Sequence, residues 1–241
     1  QSKGLPIVNV LPVEKDEKIS SIIKLNVENQ EKYLILATKQ GLIKRTNLEE
    51  FENIRATGKI CIKLKENDEL IGFKKTNGES NILLASSEGR MNVFDENEIR
   101  VMGRTASGVK GINLGSAKCV SIENVNDDDN IVIVTENGYG KKTLISEYRK
   151  TKRGSKGVKA LNITEKNGNI ASIKKVIDDS DIMIITNQGI IIRLPLEQVS
   201  QLGRVTQGTR LINLKSGQKV SSVSLVQKEK ESEEEIIEKN E

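Results

Sequence analysis

The chain has no histidine among its 241 residues. That absence removes Ser-His-Asp and Cys-His chemistry and nearly every catalytic zinc site, all of which lean on an imidazole. Cysteine is almost absent too, with Cys61 and Cys119 alone. Two lone thiols fit a reducing compartment and read as small apolar residues of a core rather than as a disulfide or a metal pair. No apolar run approaches the ~18 residues of a membrane span, and no signal-peptide pattern opens the chain. No basic amphipathic helix offers itself to a membrane surface. A soluble, cytoplasmic protein is expected. Aromatic residues are scarce: Phe51, Phe73, Phe94, Tyr33, Tyr139 and Tyr148 make up the set. Single-stranded nucleic acid is gripped largely by aromatic stacking, so that ligand is disfavoured. The nucleotide loop GxxxxGK[ST] is missing as well.

Carboxylates offer little chemistry. Asp127, Asp128 and Asp129 form an NDDDN turn, and Asp178, Asp179 and Asp181 fall in the matching turn one repeat later. Recurrence in a turn marks solvated loop residues rather than a Mg²⁺ site. No catalytic residue and no metal ligand is expected.

What the chain does have is a repeat. The apolar runs YLILAT, NILLAS, IVIVT and DIMIIT each lead into a polar pair and a glycine, at Gly41, Gly89, Gly138 and Gly189. A second glycine series, Gly58, Gly108, Gly157 and Gly208, keeps the same period of about fifty residues. The opening segment fits the second series with Gly4, so the chain begins in mid-repeat and is expected to be a piece of a longer protein. Within a repeat, Tyr33–Thr38 and Leu42–Thr46 read as a hairpin whose left-handed position is Gly41. Leu48–Phe51 reads as a helical turn. Lys59–Leu64 and Leu70–Lys75 read as a second hairpin across KENDE. Four strands in about fifty residues is the size of a propeller blade. Their unbroken apolar runs suit strands covered on both faces, and no segment of helical period is long enough for a βα alternation. The expected fold is all-β, with about five blades, the N-terminal one present as half a repeat. It fills residues 1–226. Residues 227–241 form an acidic tail, three lysines against seven glutamates, read as disordered or a frayed helix.

Positive charge keeps phase with the repeat. Four residues after the first glycine series stand Arg45, Val93, Lys142 and Arg193, while Arg55, Arg104, Arg153 and Arg204 precede the second. Between Gly140 and Lys159 the chain carries Lys141, Lys142, Arg149, Lys150, Lys152, Arg153, Lys156 and Lys159 against Glu147 alone. With Lys44, Lys110 and Arg210 these make a candidate stripe for the phosphates of double-stranded DNA, read through the backbone and bendability. Glycine-rich loops add main-chain N–H groups that approach a phosphate closely. The rival is an interaction propeller whose basic rim meets an acidic protein.

The segments Pro6–Ile19 (PIVNVLPVEKDEKI), Gly58–Gly72 (GKICIKLKENDELIG), Gly103–Leu114 (GRTASGVKGINL), Thr135–Tyr148 (TENGYGKKTLISEY) and Gly203–Leu214 (GRVTQGTRLINL) resemble the C-terminal domain of the A subunit of bacterial DNA gyrase. ENGYGKK favours gyrase over the equivalent domain of topoisomerase IV. The resemblance implies a β-pinwheel, usually of six blades that exchange strands, with DNA wrapped on its rim. It further implies a holoenzyme of two A and two B subunits, associated with the nucleoid, that introduces negative supercoils. ATP, Mg²⁺ and the cleavage tyrosine would belong to other parts of that holoenzyme, leaving this chain without a cofactor and monomeric on its own. The family's signature box, Gln-Arg-Arg-Gly-Gly-Lys-Gly, belongs to the first blade. Its nearest match here is Thr151, Lys152, Arg153, Gly154, Ser155, Lys156 and Gly157, a degenerate copy in a later repeat.

Overall fold

The computed structural model describes residues 5–6, 9, 30–52 and 58–228. The N-terminal half-repeat, Arg55 and the tail beyond Lys228 lie outside the described residues. Each apolar run and its return form an antiparallel hairpin: β1 (Tyr33–Thr38) with β2 (Leu42–Asn47), β4 (Asn81–Ser86) with β5 (Arg90–Asp95), β8 (Asn130–Thr135) with β9 (Tyr139–Leu144), and β12 (Ser180–Thr186) with β13 (Ile191–Pro195). Gly41 sits at φ +80, and a Cβ there would stand 2.9 Å from Leu114 Cδ1, so only glycine suits that turn. A 3-10 turn follows each hairpin, the first at Leu48–Phe51 as expected.

The second hairpin does not form. Lys59–Leu64 is irregular, and the strand after it, β3 (Leu70–Thr76), pairs with β1 instead. Its counterparts β7 (Cys119–Val125), β11 (Ile170–Lys175) and β15 (Val220–Gln227) likewise pair with the first strand of their own repeat. The segments matching Lys59–Leu64 become two-residue strands that join the preceding repeat: β6 (Val109–Lys110) on β2, β10 (Val158–Lys159) on β5 and β14 (Thr209–Arg210) on β9. The reason lies in the second glycine series. Cβ atoms at Gly108, Gly157 and Gly208 would stand 2.6, 2.1 and 2.7 Å from the carbonyl oxygens of Ile43, Met91 and Gly140. The incoming main chain lies against the receiving strand more closely than any side chain allows.

Four sheets result among the described residues, in the orders β3-β1-β2-β6, β10-β5-β4-β7, β11-β8-β9-β14 and β13-β12-β15. Three are completed by a strand from the following repeat, and the fourth has three strands. They fall into two compact units, Gln1–Asn126 with Tyr148–Lys159, and Asp127–Glu147 with Ala160–Glu241. The first unit holds the first two sheets around Ile35, Ile43, Ile82, Leu84, Phe94 and Ile122. The second holds the other two around Val132, Val134, Ile182, Ile184, Leu196 and Val223. Strands β1, β4 and β8 are buried along five successive residues, which is why both faces are apolar. Strand β15 ends at Gln227, and Lys228 beyond it pairs with Glu197 at 2.7 Å.

Candidate nucleic-acid interface

Wherever a donor arrives, the third residue after the hairpin glycine is buried on the receiving strand, and it is polar. Lys44 is fully buried, its ammonium donating to the carbonyls of Cys61 (2.6 Å) and Arg104. Lys141, fully buried too, donates to Gly203 O (2.8 Å) and Arg204 O (2.7 Å). Burial lowers both ammonium pKa values, that of Lys141 to about 8 against the opposing pull of Glu147. In the second sheet the position is Asn92, equally buried, with its amide donating to Gly111 O (3.1 Å) and Lys152 O (3.3 Å). In the fourth sheet it is Ile192, beside which no donor strand lies among the described residues. Lys44 and Lys141 therefore leave the proposed phosphate stripe. They fasten exchanged segments from inside.

A second position behaves the same way. Glu50, Glu98 and Glu147, in the 3-10 turns, accept the main-chain N–H groups of Arg104 (3.2 Å), Arg153 (2.9 Å) and Arg204 (2.7 Å). The matching residue of the fourth repeat is Gln198. The arginines reach inward as well, Arg104 Nη1 donating to Ile60 O at 3.1 Å and Arg153 Nη1 to Lys110 O at 2.6 Å. All three arginines are half-buried. Arg45 is a further correction, being 7% exposed. It lies 4.6 Å over the Tyr33 ring, donates to Asn97 Oδ1 at 3.0 Å and stands 3.6 Å from buried Glu96. Arg193 donates to Asp181 at 2.6 Å, with half its side chain exposed. Half-buried Lys142 sits on β9, its main chain bonded to Ser200 and Leu202. The repeat phase of the basic residues thus belongs in large part to strand exchange.

Surface charge gathers on the donor loop of the third repeat, which completes the second sheet. Thr151 N–H bonds Val93 O at 2.8 Å, and the hydroxyls of Thr151 and Ser155 donate to Asn92 Oδ1. Gly154 N–H bonds Gly111 O, and Ser155 O accepts from Asn113 N–H. On this fixed backbone Arg149, Lys150, Lys152, Lys156 and Lys159 are exposed, and Lys110 is exposed beside Gly154. Arg90, which sequence reasoning missed, is exposed and donates to Lys156 O (3.2 Å) and Gly157 O (3.0 Å). It follows the hairpin glycine directly, a signal that inspection of that column alone supplies. In the second unit Arg210 is exposed and donates to the Tyr139 hydroxyl at 2.9 and 3.1 Å.

A family model described as "DNA gyrase C-terminal domain, beta-propeller" matches residues 32–77, 80–126, 129–177 and 180–227. The chain belongs to that family. The four matched segments coincide with the four repeats that build the four sheets. The chain is 46% identical over 233 residues to the A subunit of DNA gyrase from Staphylococcus epidermidis (strain ATCC 12228 / FDA PCI 1200), covering 95% of this chain and 26% of that protein. It is 44% identical over 237 residues to the counterpart from Staphylococcus aureus (strain NCTC 8325 / PS 47), covering 97% and 27%. The chain thus spans about a quarter of the length of these relatives. Among solved structures, a topoisomerase IV C-terminal domain superposes with TM-score 0.85 at 27% identity, over 98% of this chain and 75% of that one. A DNA gyrase A C-terminal domain superposes with TM-score 0.74 at 25% identity, over 88% and 75%.

In this member of the gyrase C-terminal domain family two of the clustered aspartates stand in ion pairs, and one of them, Asp181, lies on β12 rather than in a turn. Asp129 pairs with Lys175 at 2.7 Å and Asp181 with Arg193. Among the described residues no three carboxylates, cysteines or histidines are grouped to hold a metal. Both thiols are free, and burial pushes that of Cys119 up to about 12, which leaves it protonated and inert. No helix among the described residues is long and apolar enough to cross a membrane.

Proposed function

We propose that the chain binds double-stranded DNA as a domain of a type IIA topoisomerase, gripping the phosphate backbone with the donor loop Arg149–Lys159 and its neighbours Arg90 and Lys110. The carrying observation is that this loop is rigid and basic together. Thr151 and Ser155 tie it to the second sheet and Gly154 to the segment after β6, while its lysines stay in solvent. Fixed cations lose little entropy on meeting a phosphate row, and each phosphate neutralised releases counterions. Arg153 and Arg104 add charge from half-buried positions. In the finer reading, DNA bends or wraps along this surface within a gyrase assembly of two A and two B subunits. Cleavage and ATP hydrolysis belong to other parts of that assembly, the domain alone is monomeric, and it works in the bacterial cytoplasm at the nucleoid.

Fluorescence anisotropy with labelled duplex tests the reading. The quadruple variant Lys110→Gln/Lys152→Gln/Lys156→Gln/Lys159→Gln should bind more weakly. Its slope of log affinity against log salt should fall by about one for each phosphate it no longer neutralises. Unchanged affinity and slope would overturn the proposal, as would duplex binding insensitive to salt. Relaxing a plasmid in the chain's presence then reads any trapped supercoil and tests wrapping separately.

A further inference from the structure

A cavity of about 390 Å³ opens in the second unit between the β8–β9 turn, the turn before β11 and the loop after β14. Its walls carry Lys166, Arg210, Lys215 and Lys219, and no carboxylate. Among the described residues none of the four stands in an ion pair. Three of them are nevertheless held in place. Arg210 donates to the Tyr139 hydroxyl and, at 3.2 Å, to Asn213 Oδ1, while the Lys219 ammonium donates to Asn137 Oδ1. Lys166 and Arg210 lie 5.6 and 5.5 Å from the Tyr139 ring centre. Every one of these partners is neutral, so three of the positive charges are oriented without being neutralised, and exposed Lys215 adds a fourth. Crowding like charges costs free energy that an entering anion removes.

The repeat does not account for the cluster. Counted back from the last strand of the matching sheets in the first unit, Glu66 stands for Lys166, Leu114 for Lys215 and Lys118 for Lys219, while Leu42 stands for Tyr139 on the receiving strand. With Lys110, which stands for Arg210 in the register of the donor strand, two cations and a carboxylate there replace four cations here. The fold therefore tolerates the place without the cluster, and the extra charge has a use other than packing.

We propose that this cavity binds clustered phosphate groups, either consecutive phosphates of a nucleic-acid backbone or a free polyphosphate chain. Four cations around one small space exceed what a single carboxylate neutralises, and they match an anion bearing several charges on adjacent groups. The site does not depend on the donor-loop surface, which belongs to the other unit.

Calorimetric titration of the whole 241-residue chain with tripolyphosphate at low salt tests the proposal. Saturable binding at one site is expected, about tenfold weaker in Lys166→Glu/Lys215→Leu, which copies the matching place of the first unit. Lys118→Gln should bind as the native chain does. Arg210→Gln provides a second variant, also weaker, should the first fold poorly. Two supporting outcomes separate the sources. If duplex displaces tripolyphosphate and the double variant also loses duplex affinity, the site takes a nucleic-acid backbone. If duplex affinity is kept and both ligands bind together, it takes free polyphosphate. No saturable binding, or native affinity in both variants, overturns the proposal, whatever the donor-loop variants show with duplex.

Discussion

The receiving strands of the second and third sheets solve one problem with different charges. Asn92 and Lys141 hold the same place after their hairpin glycines, both fully buried, and each donates to two carbonyls, both of the arriving segment for Lys141 and one of it, Lys152 O, for Asn92. The loop that lands on Lys141 brings Arg204 and Arg210. The loop that lands on Asn92 brings Arg149, Lys150, Lys152, Arg153, Lys156 and Lys159. A buried ammonium beneath that second loop would face a concentrated field of its own sign in a medium of low dielectric. The neutral key removes this repulsion and adds an acceptor for the hydroxyls of Thr151 and Ser155. The key is thus uncharged where surface charge is densest. The fourth sheet completes the comparison, since Ile192 and Gln198 stand where key and latch would be and no donor strand arrives among the described residues.

The largest effect is expected at the charged key. Lys141→Met keeps the apolar stem but removes the ammonium donor shared by Gly203 O and Arg204 O, of which Gly203 O keeps the N–H and hydroxyl of Thr206. Losing both charge-assisted hydrogen bonds should cost roughly 2–4 kcal/mol of stability, read from urea unfolding. A loss under about 0.5 kcal/mol, within the ordinary scatter of surface changes, would show that the key is ornamental.

At the neutral key the expected loss is smaller but reaches the DNA-binding reading. Asn92→Ala removes two donors and one acceptor, at a cost of roughly 1–3 kcal/mol. It also frees the loop without altering its charge, so duplex affinity should fall while the lysines remain. Asn92→Lys sharpens the point. Lysine serves at Lys44 and Lys141, yet here it cannot accept the two hydroxyls and would lie under the basic loop. An Asn92→Lys chain as stable as the native one would break the comparison.

The two keys also explain what the sequence disclosed. Hairpins, left-handed glycines and the 3-10 turn at Leu48–Phe51 depend on neighbours a few residues apart, and these read correctly. The repeat period led to the all-β fold. The second hairpin read wrongly because β6, β10 and β14 are two residues long and find partners in the previous repeat. Nothing local distinguishes such a strand from a loop. The phase of the basic residues was visible, but its cause was half hidden. Lys44, Lys141 and Arg45 keep phase because exchanged segments and Glu96 need them, whereas Lys152 and Lys156 face solvent. One column did contain the answer. Lysine, asparagine, lysine and isoleucine after the hairpin glycines track the arrival of a donor, and a charge-only reading of the column leaves out Asn92.

The smallest effect is a pH dependence confined to the charged key. Lys141 falls from the usual 10.5 to about 8 in the folded chain because burial disfavours its ammonium form. Between those values the unfolded chain binds the extra proton, so stability contributed at this position rises with pH. Below about pH 8 both states are protonated and the burial penalty is present in full. As pH climbs through the folded pKa toward 10.5, the penalty is relieved. Neutral lysine still carries two N–H groups, enough for Gly203 O and Arg204 O, so the latch survives deprotonation. The stability difference between the native chain and Lys141→Met should therefore widen from pH 7 to pH 9.5. The difference between native and Asn92→Ala should stay flat, since asparagine does not titrate. Urea midpoints of the three chains at both pH values decide the matter. A gap at Lys141 that narrows with rising pH would mean that its positive charge, rather than its hydrogen bonds, holds the exchanged segment.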